Sequence, residues 1–169
     1  KNKESKTTLV KADVINLAMF EPRKFNVYES ADEDVFYINQ LVYSSLFKLD
    51  KNLNISPDVV SEYSVDTSSG EVNITLKDNV KFSDGSELDS SDVKASVERI
   101  IAAESGSPYF IYASKINRIH INDSRSFTVV FDSASDASLD NLTFPITSAG
   151  EYKKGENFAI GSGPYAYAG

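Results

Sequence analysis

The sequence predicts an α+β fold of mixed, mostly antiparallel sheets with a few packed helices, and two observations carry that expectation. Two pairs of apolar-rich runs are each joined by a short polar turn, at 66–70 and at 122–126, which is the pattern of antiparallel hairpins. Two further stretches, 32–45 and 89–103, repeat apolar residues at helical spacing instead. No internal repeat is present, so the elements follow one another once.

In chain order, Lys1-Asn2-Lys3-Glu4-Ser5-Lys6 is polar and without period, and 1–7 is expected to be a flexible tether. Residues 8–19 mix β-branched and polar residues without Gly or Pro and predict a strand, which Pro22 closes. Within 32–45, Val35, Ile38, Leu41, Val42 and Ser45 share one helical face. Asp32, Glu33 and Asp34 stand where the positive helix N-terminus favours acids. Short strands are predicted at 46–49, 59–65 and 71–77, the last two joined by Asp66-Thr67-Ser68-Ser69-Gly70. Asp84-Gly85 supplies the positive φ of a tight turn. Asp89 then caps a helix whose Val93, Val97, Ile100 and Ile101 make one apolar face, and Gly106, Ser107 and Pro108 break it. Runs 116–121 and 127–131 form the second hairpin. The stretch 132–160 is polar apart from Leu139, Leu142, Phe144 and Ile146.

Composition excludes several functions. With 17 Lys and Arg against 25 Asp and Glu, the net charge of −8 opposes a sequence-independent grip on nucleic acid. The absence of cysteine removes thiol catalysis, zinc–thiolate sites and disulfides. No apolar run reaches the ~18 residues of a membrane span, and the start lacks the apolar stretch of a signal peptide, so a mature or trimmed chain is expected.

The residues offer little catalytic chemistry. His120 alternates with Ile119 and Ile121 and is expected to face solvent beside Arg118, and no Gly-x-Ser-x-Gly elbow seats a nucleophile. Asp32-Glu33-Asp34 lacks the spacing of a calcium loop. Asp132, Asp136 and Asp140, four apart, would repel on a helix and favour a loop or a weak cation site. Gly161-x-Gly163 has no following helix with Lys and Ser or Thr, so it is not a phosphate loop. No catalytic residue, metal site or cofactor is expected. Tyr109, Phe110 and Tyr112 follow the break at Ser107-Pro108, where tyrosines either bind a ligand of mixed polarity or pack beneath a loop.

The order of the pieces is more informative than any one of them. Leu41-Val42-Tyr43-Ser44-Ser45-Leu46-Phe47, then Val80-Lys81-Phe82-Ser83-Asp84-Gly85-Ser86-Glu87-Leu88, then Asp92-Val93-Lys94-Ala95-Ser96-Val97-Glu98-Arg99-Ile100, then Gly161-Ser162-Gly163-Pro164-Tyr165 together resemble the family 5 extracellular solute-binding proteins, receptors of peptide and nickel ABC importers. The resemblance spans about 8–167. It departs at Met19-Phe20-Glu21-Pro22, where Leu-Asp-Pro is usual, and at Glu62-Tyr63, where Glu-Ser-Trp is common.

The resemblance implies the N-terminal part of a periplasmic-binding-protein-like, two-lobed fold. By it, 8–45 begins the main lobe, 46–155 is an inserted α+β subdomain, 156–169 returns to the main lobe, and the second lobe is absent. It implies a non-enzymatic receptor that binds peptides by lobe closure and hands them to a membrane permease. Such a receptor acts as a monomer at the extracellular membrane face, lipid-anchored by a segment outside this chain, or in the periplasm. The alternative is an interaction or sensing module derived from such a receptor. Carried over residue by residue, Tyr109 is the leading ligand contact, and Tyr28, Glu29, Ser30 and Asp32 lie in a loop whose backbone would pair with an extended peptide.

Overall fold

The computed structural model describes residues 14–18, 24–150 and 160–167. Its centre is a four-stranded antiparallel sheet of order β3-β4-β6-β5, with β3 Val60–Asp66, β4 Glu71–Leu76, β5 Ile116–Ile121 and β6 Ser126–Phe131. The two hairpins lie side by side because β4 pairs with β6, placing Val72 opposite Val129 and Ile74 opposite Phe127. These four are buried and share one face, as the two-residue period of a strand requires. Outer strand β5 is mostly exposed, and His120 sits there in solvent, opposite Thr128.

The hairpin turns are built by one device. Asp66 Oδ1 accepts from the Ser68 hydroxyl at 2.6 Å, the Ser68 N–H at 2.8 Å and the Ser69 N–H at 3.3 Å. Those donors hold its carboxyl down at about 2. Asp123 and Asp84 make the same turn with Ser126 and Arg125 and with Ser86, and both carboxyls are likewise lowered by the serine partner first. Gly70 closes the first turn at φ +76°, where a Cβ would meet the Phe131 carbonyl oxygen at 2.5 Å.

Helix α2, Ser90–Ala103, packs its Val93, Val97 and Ile100 into the core. Asp89 caps it, accepting from the N–H groups of Ser91 at 2.7 Å and Asp92 at 3.3 Å, while Asp92 Oδ2 accepts the Asp89 N–H at 2.8 Å. This reciprocal box leads to a direct expectation. Asp89→Ala should cost about 1 kcal/mol in urea unfolding, and Asp89→Asn should recover most of it.

Four elements differ from the sequence reading. Helix α1 is Glu33–Val42, four residues shorter than the expected 32–45 and ending three residues early, because Tyr43 turns extended (φ −115°, ψ 142°) and the chain enters β1, Phe47–Leu49. Strand β2, Ile55–Pro57, pairs with β1, and a four-residue helix α3, Phe110–Ala113, follows Tyr109. Neither carries enough periodicity to be read locally. Of the strand expected at 8–19, residues 14–18 are described and carry no strand pairing, with Val14, Ile15 and Leu17 exposed. The rest of that stretch and the 1–7 tether lie outside the described residues.

The segment 132–150 holds a seven-residue 3-10 run, Asp136–Leu142, that buries Leu139 and Leu142, after which Phe144 and Ile146 enter the core fully buried. Residues 160–167 return to α1: Gly163 N–H donates to the Val42 carbonyl at 2.8 Å and Tyr165 N–H to that of Leu41 at 3.1 Å. The last-turn carbonyls of a helix lack partners within it, and here distant backbone supplies them.

Candidate functional site

The residues nominated for ligand contact fall into two segments that fold together. The first is the turn before α1, organised by Asn26. Its side chain accepts the Tyr28 N–H at 3.0 Å, and its carbonyl accepts those of Glu29 at 3.2 Å and Ser30 at 3.0 Å. Three successive donors are thus turned inward on one residue, so this stretch is a closed turn and not an extended edge. Glu29 is half-buried and pairs with Lys24 at 3.0 Å. Ser30 is buried, and its hydroxyl accepts from Asp32 N–H at 3.3 Å and donates to Asp32 Oδ2 at 3.4 Å. Asp32 is the N-cap of α1, immediately before its first residue Glu33.

Tyr28 is sealed in the core, with no exposed surface. Its hydroxyl donates to the Pro145 carbonyl at 2.9 Å and lies 3.0 Å from Thr147 Oγ1. The second segment carries Tyr109, whose N–H donates to Ser107 Oγ at 3.2 Å just before α3. The Tyr109 ring meets Tyr28 edge-on (centroids 6.5 Å, 89°) and stacks on Phe36 of α1 (6.4 Å, 24°). Phe36 in turn meets Tyr37 edge-on at 5.8 Å. The result is a run of four rings from the core outward, in which Tyr109 is only 5% exposed while Phe36 is 42% and Tyr37 57% exposed.

Burial raises both inner phenols. It pushes Tyr109 up to about 12, partly offset by the Asn39 side chain, and Tyr28 still higher, against hydrogen bonds from Ser96 and Thr147. The folded chain therefore keeps protons that the unfolded chain releases near pH 10. Stability should be intact below that and fall as pH rises through about 12, with Tyr28→Phe and Tyr109→Phe flattening the fall. Urea unfolding at about pH 9, 10 and 11 reads this directly.

Behind the turn, α2 grips 145–149. Arg99 Nη1 donates to Thr147 Oγ1 and the Ser148 carbonyl, both at 2.8 Å, and Nη2 to the Ala149 carbonyl at 2.7 Å. Thr147 thus touches both Tyr28 and Arg99. Asn26, Arg99 and Thr147 are ordinary residues in the sequence, and no local pattern marks them. Phe36 and Tyr37 are not among the residues nominated from the sequence, although a signal exists for them: two aromatics on the polar side of an amphipathic helix are out of place unless something covers or uses them. Among the described residues no cluster of His, Asp or Glu could hold a metal ion.

Comparison with known proteins agrees with this architecture. The family model of bacterial extracellular solute-binding proteins, family 5 Middle, matches residues 54–169, more than half of the chain. The glutathione-binding protein GsiB of Salmonella paratyphi A is 25% identical over 145 residues, which are 82% of this chain and 28% of that protein. The oligopeptide-binding protein AppA of Bacillus subtilis is 25% identical over 168 residues, covering 92% of this chain and 31% of its own. Among solved structures, NikZ of Campylobacter jejuni in complex with Ni(L-His) superposes with a TM-score of 0.72 at 25% identity, over 86% of this chain and 31% of that one. The chain spans about three tenths of the length of the relatives it matches. The fold is that of the N-terminal part of a periplasmic-binding-protein-like receptor, and the chain belongs to the family 5 bacterial extracellular solute-binding proteins.

Proposed function

We propose that these residues are the first-lobe portion of a solute receptor for an ABC importer, that its cargo is a peptide, and that the Tyr28–Asp32 turn and the Tyr109 loop belong to one wall of the cleft. The observation that supports this reading is the ring contact of Tyr109 with both Tyr28 and Phe36. It packs the two segments nominated from the sequence against each other although they lie some eighty residues apart. The similarity to proteins described as glutathione- and oligopeptide-binding supports a peptide as cargo. The return of 160–167 to the end of α1 supports the division into a main lobe and an inserted subdomain at about 46–155. A second lobe would close over the solute, and the ligand's preference for the closed state would drive that closure. The receptor would work as a monomer outside the cytoplasmic membrane, lipid-anchored or periplasmic.

The test is thermal and calorimetric titration of the complete receptor with a mixture of di- to pentapeptides. Peptide at 100 times its Kd should stabilise the protein by about 2.7 kcal/mol. Tyr109→Ala, which removes the ring that joins the two segments, should weaken binding by about tenfold while the receptor stays folded by circular dichroism. A folded receptor that responds to no peptide would overturn the assignment.

A further inference from the structure

The most exposed aromatic surface near the nominated site is not Tyr109. Phe36 stacks over that ring and leaves it 5% exposed, so an incoming solute meets Phe36 and Tyr37 first. These two rings stand at 73° to each other on the outer side of α1, one turn after its start. Glu33 borders them, its Oε1 accepting the Tyr37 hydroxyl at 3.2 Å. With Asp32 and Asp34 on either side, the start of α1 carries three consecutive carboxylates. Two exposed rings with a carboxylate hydrogen-bonded at their edge are the chemistry that attracts an organic cation: the ring quadrupole and the carboxylate act in the same direction, and flat rings accept the apolar stem of lysine or arginine.

Resting on the receptor reading above, we infer that Phe36 and Tyr37, edged by Glu33, form an aromatic shelf that takes the cationic side chain of a basic peptide. A second copy of the chain is the other occupant such a patch could have, and the test separates the two. The shelf is a specificity determinant and not the anchor of the peptide backbone, so neutral peptides still bind without it.

The experiment uses the complete receptor and three tripeptides, Ala-Arg-Ala, Ala-Ala-Ala and Ala-Glu-Ala, with benzyltrimethylammonium and neutral neopentylbenzene as probes independent of peptide binding. The aromatic NMR signals of Phe36 and Tyr37 report contact. Ala-Arg-Ala should bind about tenfold tighter than Ala-Glu-Ala. Phe36→Leu keeps apolar bulk without a π face, and Phe36→Ala removes both. Each should shrink that preference to under about threefold; Tyr37→Leu, which leaves the Phe36–Tyr109 stack in place, should shrink it likewise and leave Ala-Ala-Ala binding unchanged. Since Phe36 is 42% exposed, both variants should fold, and circular dichroism checks this. Peptide binding with no cation preference, or a preference that survives Phe36→Leu, overturns the shelf and leaves the receptor intact. No peptide binding, with benzyltrimethylammonium but not neopentylbenzene shifting the two rings, overturns the peptide reading and keeps the shelf. Silence from all probes removes both. A concentration-dependent dimer abolished by Phe36→Ala makes the patch a subunit contact and overturns the inference.

Discussion

Replacing Gly161 with alanine is expected to destabilise the chain by about 3 kcal/mol or more and to lower its Tm by roughly 10 °C. A Cβ at this position would stand 2.1 Å from the Val42 carbonyl oxygen and 2.9 Å from its carbonyl carbon. Both are backbone atoms at the end of α1, so no rotamer change relieves the clash. At Gly163 a Cβ meets Leu41 and Val42 backbone at 2.5 Å, so the whole segment runs against the helix at glycine distance. That close approach allows Gly163 and Tyr165 to reach the carbonyls of Val42 and Leu41, Ser44 Oγ to donate to the Ser162 carbonyl at 2.9 Å, and Ser83 N–H to that of Gly161 at 2.9 Å. An added methyl group pushes the segment away and loosens these bonds together. The control is Gly106→Ala, where a Cβ meets nothing within 4 Å and the change should stay within about 0.5 kcal/mol. Equal melting of the two variants would show that 160–167 does not hold α1 in solution.

The same glycines show where sequence reading reached its limit. The hairpins, the capped helix α2 and the Asx turns depend on residues within a few positions of each other, and each is visible in composition and spacing. Helix α1 is different. Its face was legible, but its end is set by carbonyls that Gly163 and Tyr165 bind from about 120 residues away. Residues 14–18 are the converse: β-branched and apolar, they read as a strand, yet a strand exists only in its partner, and these residues pair with none of the described ones. At the site, the resemblance nominated Tyr28 and Tyr109, and the fold joins them. Their exposure was not legible, because whether a tyrosine faces solvent depends on what stacks over it. Phe36 does that for Tyr109, and the 145–149 segment does it for Tyr28.

That segment carries the second large effect: Arg99→Ala should cost about 3 kcal/mol. Residues 145–148 are buried yet belong to no sheet or helix; the Ile146 N–H donates to the Ser44 carbonyl at 2.9 Å, and other polar groups of the segment rely on side-chain partners. Helix α2 supplies them. Ser96 Oγ accepts the Thr147 N–H at 3.0 Å, Asp92 Oδ1 accepts the Ala149 N–H at 2.6 Å, and Arg99 takes three oxygens with one guanidinium. Arg99→Lys keeps the charge but cannot span three acceptors in one plane, and should recover less than half of the loss. Arg99→Met keeps the apolar stem and should recover less still, which separates lost hydrogen bonds from lost packing. Thr147→Val removes the hydroxyl that serves Tyr28 and Arg99 at once, so its effect should not add to that of Arg99→Ala. A double-mutant cycle should give about 1 kcal/mol of coupling or more. Hydrogen exchange at the Thr147 and Ala149 amides should speed up in Arg99→Ala while the β4 and β6 amides keep their protection relative to global stability. If the cycle is additive and those amides stay protected, Ser96 and Asp92 alone hold the segment, and Arg99 is a surface residue lying over it. If the coupling is found, the turn before α1 is fixed through Tyr28 and Thr147 to α2. One wall of the proposed cleft would then be a rigid body that a closing lobe meets without reordering it.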